Sequence, residues 1–148
     1  MENITISADK KELNTVLDFI NKNLDSLNPS PKFRMQLELS VEETFSNIVN
    51  YAYNLKNTNN TGNNEDNNKE IIIINYHVKK NPLKVVVEFL DYGIPYNPLK
   101  NEDPNTSLSS NDRKIGGLGI FLIKKNVDNI EYRYENNKNI LKLEKNIE

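Results

Sequence analysis

Two apolar runs that follow each other closely place the strongest constraint on the fold of this chain. Residues 70–78 read EIIIINYHV and residues 83–91 read LKVVVEFLD, with KKNP between them. Both runs are rich in β-branched and aromatic residues, which favour strands. Two such runs joined by a short turn are typical of a β-hairpin. The sequence therefore predicts antiparallel strand pairing in this part of the chain.

The segments around the hairpin predict three more strands. Residues 3–7, NITIS, alternate in polarity, and two short β-rich segments, NIEYRYE and NILKLEK, close the chain across an NNK turn. Alternation of this kind indicates strands with one buried face.

Three helices complete the pattern, and we expect them at residues 9–27, 31–54 and 117–127. Ser7 or Asp9 opens the first, whose apolar residues follow a 3.6 period: Leu13, Leu17, Ile20, Leu24 and Leu27. The order β-α-α-β-β-α-β-β is typical of an α+β fold. We therefore expect a two-layer α/β sandwich with the helices on one face of a mostly antiparallel sheet.

Two polar segments interrupt these elements. Residues 57–68, NTNNTGNNEDNN, contain no apolar side chain and predict a solvated, asparagine-rich loop. Residues 92–116 form a second polar stretch, and a loop of that length inside a compact domain is usually functional or mobile.

The bulk composition excludes several classes of function. The chain has 148 residues, no cysteine and a formal net charge of −2. Its length fits one domain, and the lack of cysteine excludes disulfides, thiolate zinc sites and a cysteine nucleophile. The balanced charge favours neither nucleic acid nor an anionic membrane. No apolar run approaches a membrane span and no signal segment is visible, so we expect a cytoplasmic protein.

The second predicted helix carries unusual polar residues in EETFSNIVNYAY, residues 42–53. Glu43 and Asn47 are one turn apart and so share a face. Ser40, Tyr51 and Asn54 are expected on the same polar stripe, away from a core stripe of Leu37, Val41, Phe45, Ile48 and Ala52. An amide oxygen suits Mg²⁺, and a nearby carboxylate could accept a proton. The alternative is an ordinary solvated helix face.

Asp91 ends an apolar row on the second hairpin strand. Leu83, Val85, Val87 and Phe89 precede it on the same face, so its carboxylate is expected at the edge of the core, where it needs a partner. A ligand amino group would be one such partner, and Gly93 would permit a close backbone approach. The alternative is an Asp-x-Gly turn in which Asp91 bonds its own backbone.

Three glycines, Gly116, Gly117 and Gly119, lead into the last helix in GGLGIFLIKK. Free backbone N–H groups at a helix N-terminus favour phosphate, so this segment is a candidate anion site. A hinge and helix cap is the alternative.

Together, EETFSNIVNYAY, DYGIPYNP and GGLGIFLI resemble the GHKL ATPase superfamily with its Bergerat ATP-binding fold. Within it, the chain is most similar to the small anti-sigma-factor serine/threonine kinases of bacteria, over essentially its whole length, residues 1–148. The resemblance implies that ATP and Mg²⁺ are bound. It also implies that residues 98–115 are a mobile lid over ATP. Its basic residues are Lys100, Arg113 and Lys114, and Arg113 or Lys114 is the candidate for a contact with a phosphate.

The resemblance assigns a role to each candidate residue. It implies that Glu43 is the general base, that Asn47 binds Mg²⁺, and that Asp91 bonds the adenine amino group. Gly93 would let the base lie close, Gly117 and Gly119 would offer N–H groups to the phosphates, and Gly116 would be a hinge.

The resemblance also implies partners. They are an antagonist (anti-anti-sigma) protein that accepts the γ-phosphate on serine or threonine, a sigma factor that is sequestered, and a second copy in a homodimer. The alternative function is a nucleotide-gated regulatory binding module without kinase activity.

Overall fold

A computed structural model describes residues 1–53, 70–100 and 117–147, with only the helical backbone at positions 117 and 118. The predicted asparagine-rich loop, most of the predicted lid, Gly116, Arg113 and Lys114 lie outside these residues.

The sheet has five strands, and every neighbouring pair is antiparallel. The strands are β1 (Glu2–Ser7), β2 (Ile71–Lys79), β3 (Lys84–Asp91), β4 (Asn129–Glu135) and β5 (Lys138–Asn146). Their order is β1-β2-β3-β5-β4, so the predicted hairpin β2–β3 lies at the centre. Strand β5 lies between β3 and β4 and pairs with both. Its pairing with β3 places Asn139 opposite Asp91.

The helices are α1 (Leu13–Leu24), α2 (Pro31–Asn47) and α3 (Gly117–Asn126). Asp9 caps a short 3₁₀ turn before α1 by accepting a hydrogen bond from the Lys11 N–H. Ser30 caps α2 by accepting one from the Phe33 N–H, and Pro31 occupies the first turn, where its missing N–H costs nothing. A π-helix, Ile48–Tyr53, continues α2.

The core lies between the helices and one face of the sheet. Alternate residues of the central strands contribute to it together with the apolar stripe of α2, and the residues of β2 and β3 that are fully buried in this core are Ile72, Ile74, Val85, Val87 and Phe89. The other face carries charged pairs such as Arg133 with Glu88 and Lys142 with Glu131. The predicted α+β two-layer sandwich is confirmed. None of the helices in the described ranges is long and apolar enough to cross a membrane.

The predicted apolar stripe of α1 packs against the core, where Ile20 and Leu24 are fully buried and Leu13, Leu17 and Leu27 are partly buried. Val16, which was not predicted, is fully buried beside them. Ser40 is also buried, and its hydroxyl donates to the Gln36 carbonyl. The predicted polar stripe of α2 is therefore not separate from the core, because α3 packs against α2.

Candidate functional site

The first part of the site lies where α2 meets the first turn of α3. Gly119 is placed so that a Cβ on it would come 2.6 Å from Glu43 Oε2 and 3.8 Å from Asn47 Nδ2. The fold thus brings the glycine-rich segment to the acid and the amide of EETFSNIVNYAY. The helical spacing places Glu43 and Asn47 on one face of α2. The packing of α3 brings Gly119 next to both side chains, and its lack of a Cβ leaves space for them.

The π-helix that follows α2 contacts the segment after β3. A Cβ on Gly93 would lie 2.6 Å from the Ala52 Cβ and 2.7 Å from the Ala52 carbonyl oxygen. The Ile94 N–H donates to that same carbonyl. Glycine at position 93 is therefore required for the close approach of two backbones. The wide π turn was not predicted, although such turns are frequent at functional sites.

Tyr53, at the end of the π-helix, joins this segment to two strands. Its hydroxyl donates to the Ile71 carbonyl at 2.7 Å and accepts from the Tyr92 N–H at 2.7 Å. Tyr51 stacks on Tyr96 with ring centroids 5.6 Å apart. These contacts hold the chain that leaves β3 against the end of α2.

Asp91 is buried, with 3% of its surface exposed. Its Oδ1 accepts two hydrogen bonds, from the Gly93 N–H at 2.9 Å and from Asn139 Nδ2 at 2.9 Å. The turn that the sequence offered as an alternative is therefore present. It does not exclude a ligand role, because Oδ2 accepts no hydrogen bond from the part of the chain that the structure describes.

Asn139 is a site residue that the sequence did not identify. It is 4% exposed and contacts the carboxylate, the Ile94 carbonyl, the Tyr96 N–H and the Tyr132 hydroxyl. Its position opposite Asp91 depends on the pairing of β3 with β5, which are separated in sequence by α3 and β4. No local sequence signal marks such a pairing.

A small cavity connects the two parts of the site. It has a volume of about 30 Å³, and its lining includes Thr44, Asn47, Asp91, Tyr96, Tyr132 and Asn139. Asn47 and Asp91, which are far apart in sequence, thus face one space. A larger cavity of about 300 Å³ lies at the other end of α2, beside Ser30, Lys32 and Lys145, and contains none of the predicted site residues.

The electrostatics differ between the two carboxylates. Burial raises the pKa of Glu43 above its usual range, and the negative charge of Glu42 adds to the effect. Burial also raises the pKa of Asp91, although the hydrogen bonds from Asn139 and Gly93 oppose this by favouring the charged form. The two hydrogen bonds therefore help Asp91 to remain an acceptor.

The side chains around the cavity could hold a magnesium ion only together with the phosphates of a bound nucleotide. No group of three or more acidic, histidine or cysteine side chains in the described ranges could hold a metal. Asn47 supplies one amide oxygen beside the cavity, and Mg²⁺ commonly takes one or two protein oxygens together with phosphate oxygens and water. Asn47 is thus compatible with a shared site but not with a metal held by protein alone.

Of the predicted residues, Glu43, Asn47 and Gly119 lie together, and Asp91 and Gly93 form the opposite part of the site. The backbone of Gly117 begins α3, as expected for a segment that presents N–H groups. Gly116 lies outside the described residues.

Comparison with known proteins identifies the family of the chain. Residues 6–145 match the family model of the histidine kinase-like ATPase domain. No curated protein sequence matches the chain significantly. The fold is similar to the crystal structure of the RsbU and RsbW domains of Rv1364c from Mycobacterium tuberculosis, with a TM-score of 0.58 and 9% identity. That match covers 99% of this chain and 33% of the other, so the chain spans about a third of that protein. Because the family match extends over nearly all of its length, the chain belongs to the histidine kinase-like ATPase domains of the GHKL superfamily.

Proposed function

We propose that this domain binds ATP and transfers its γ-phosphoryl group to a serine or threonine of a partner protein. Family membership supports ATP as the ligand. The observation that carries the proposal is the convergence of Glu43, Asn47 and Gly119 at one point, with Asn47 and Asp91 lining one cavity.

In this proposal the base of ATP lies against Asp91 and the phosphates lie at the first turn of α3. The Oδ2 atom of the Asp91 carboxylate accepts a hydrogen bond from the exocyclic amino group of adenine. The backbone N–H groups at Gly117 and Gly119 face the phosphates, because the first N–H groups of a helix have no partner within it.

Glu43 acts as the general base. It takes the proton from the attacking hydroxyl, and its raised pKa brings its basicity closer to neutral pH than that of an ordinary glutamate. Asn47 offers its amide oxygen to Mg²⁺, which supplies neutralisation of the charge on the phosphates when it is bound. Gly119 leaves space for both side chains, since any Cβ there would meet Glu43.

The size of the cavity indicates that ligand entry requires movement. A volume of about 30 Å³ admits one or two water molecules and not a purine. Tyr96 and Tyr132 line it, and we propose that their side chains move aside when the base enters. The predicted lid, residues 98–115, would then cover the nucleotide.

The partners proposed for this domain are those of the anti-sigma-factor kinases. They are an antagonist protein as phosphoryl acceptor, a sigma factor as the sequestered protein, and a second copy of the chain, all in the cytoplasm. Support comes from the fold of the RsbW-containing structure and from the three sequence motifs.

Nucleotide binding is tested by calorimetric titration with Mg-ATP. Asp91→Ala and Asn47→Ala should each weaken binding at least 10-fold, whereas Asn14→Ala, on the exposed side of α1, should not change it. A wild-type protein that binds no ATP would exclude the proposed function.

Phosphoryl transfer is tested by incubating the protein with γ-labelled ATP and an extract of the source cells. The expected product is a small protein labelled on serine or threonine, absent with Glu43→Gln. ATP binding without labelled protein would favour the alternative, a nucleotide-gated binding module.

A further inference from the structure

The side-chain amide of Asn139 has a single possible orientation. Its Oδ1 lies 3.1 Å from the Tyr96 N–H, which can only donate, and its Nδ2 lies 2.8 Å from the Ile94 carbonyl, which can only accept. Exchanging the oxygen and the nitrogen would place donor against donor and acceptor against acceptor. The amide therefore presents an N–H group, and never an oxygen, to Asp91.

The fixed amide determines what Asp91 presents to the cavity. Nδ2 of Asn139 and the Gly93 N–H both donate to Oδ1, so this oxygen is occupied by two protein donors. Oδ2 receives no donor from the described part of the chain, and Asp91 lines the cavity. The carboxylate is thus held with one saturated oxygen and one that accepts.

We propose that Asn139 is a positioning residue that makes the site select 6-aminopurine nucleotides over 6-oxopurine nucleotides. It holds Oδ1 of Asp91, so that Oδ2 meets the group on carbon 6 of the base. This inference rests on the proposed ATP site, and it adds the residue that sets base specificity.

The selection follows from hydrogen-bond matching. An amino group donates to Oδ2, whereas a carbonyl at the same place would set two acceptors against each other in a buried site. Sites built around a buried hydrogen bond strongly reject analogues that cannot make it, because the protein group is then left unpaired. We expect wild-type protein to bind ATP at least 100-fold more tightly than inosine triphosphate.

The first test separates positioning from general stability. Asn139→Leu keeps the approximate size of the side chain and removes its donor. ATP affinity should fall at least 10-fold, while purine riboside triphosphate, which has no group on carbon 6, should lose less than threefold. Asn14→Leu, the same change on the exposed side of α1, should leave both affinities unchanged. A purely structural role would weaken both nucleotides equally and would overturn the proposal.

The second test leaves Asn139 intact, so it remains informative if Asn139→Leu does not fold. In Asp91→Asn, the Gly93 N–H and Asn139 Nδ2 still donate to the Oδ1 position, so the oxygen of the new amide has to lie there. Its NH₂ group therefore faces the cavity, where it can donate a hydrogen bond to the base. The variant should bind inosine triphosphate more tightly than ATP, and adding Asn139→Leu should reduce that preference. A folded Asp91→Asn protein that still prefers ATP contradicts the proposal.

The wild-type titrations distinguish this inference from the proposed function. If the protein binds no nucleotide, both fail. If it binds ATP and purine riboside triphosphate equally tightly, the nucleotide site stands and the role of Asn139 in specificity fails.

Discussion

Gly119 of α3 lies so close to Glu43 of α2 that a Cβ on the glycine would come 2.6 Å from Glu43 Oε2. The contact is with the end of a flexible side chain and not with backbone. A larger residue at position 119 would therefore displace the carboxylate without breaking the fold.

Gly119→Ala should separate stability from catalysis. Alanine favours the helix by up to about 1 kcal/mol over glycine, so the midpoint of thermal unfolding should stay the same or rise. Phosphoryl transfer should fall at least 10-fold, because Glu43 has to leave its position. Leu122→Ala, at an exposed position on the same helix, provides the control for the kinetics. An unchanged transfer rate in Gly119→Ala would show that Glu43 is not needed where it lies.

Gly93→Ala, in contrast to Gly119→Ala, should lower the stability of the fold. The new Cβ would meet the Ala52 carbonyl oxygen at 2.7 Å, and neither backbone can yield easily. We expect a loss of about 1–3 kcal/mol in the free energy of unfolding, measured in denaturant. Adding Ala52→Gly should recover only part of this loss, since the carbonyl remains. Full recovery of the stability would mean that the contact with the Ala52 Cβ, at 2.6 Å, accounts for the whole loss.

The pH dependence of transfer should report on Glu43. A general base must be ionised, so the rate should rise with pH through a pKa above that of an ordinary glutamate. Glu42→Gln removes a neighbouring negative charge, lowers the pKa of Glu43, and should move the profile to lower pH. Glu43→Gln should reduce the rate about 10²–10⁴-fold at pH values above that pKa and should remove the rise of the rate with pH. A profile that does not move in Glu42→Gln would argue against Glu43 as the titrating group.

Glu144 should make stability depend on pH in the acid range. The hydrogen bond from Asn129, together with the Lys84 ammonium, lowers its pKa to about 2 from 4.5. A group with a lowered pKa contributes stability above its unfolded value and loses it as the pH falls through the folded value. Glu144→Gln should therefore be less stable than wild type by about 1–3 kcal/mol at pH 7.

That difference should shrink between pH 4.5 and about 2, the interval between the unfolded and folded pKa values. Chemical denaturation of both proteins across this range measures it. Glu2→Gln, at an exposed position on β1, should show little difference from wild type at any pH. A difference for Glu144→Gln that is independent of pH would exclude the carboxylate charge as its source.

The amino-acid sequence by itself determined the elements and the local geometry of the candidate residues. Two runs of β-branched and aromatic residues joined by a short turn placed the hairpin strands, and the 3.6-residue period of a helix placed Glu43 and Asn47 on one face. The apolar row of β3 located Asp91 at the edge of the core, because alternation along a strand is a local property.

Only the tertiary structure decided which of these residues meet. Asn139 lies opposite Asp91 because β5 pairs with β3, and Gly119 reaches Glu43 because α3 packs on α2. The burial of Ser40 likewise appears only in the folded structure. The physical reason is the distance along the chain over which each interaction acts. Backbone dihedral angles and side-chain alternation act over a few residues and can be read along the chain. The pairing of distant segments depends on the free energy of the whole core, which no short stretch of sequence contains.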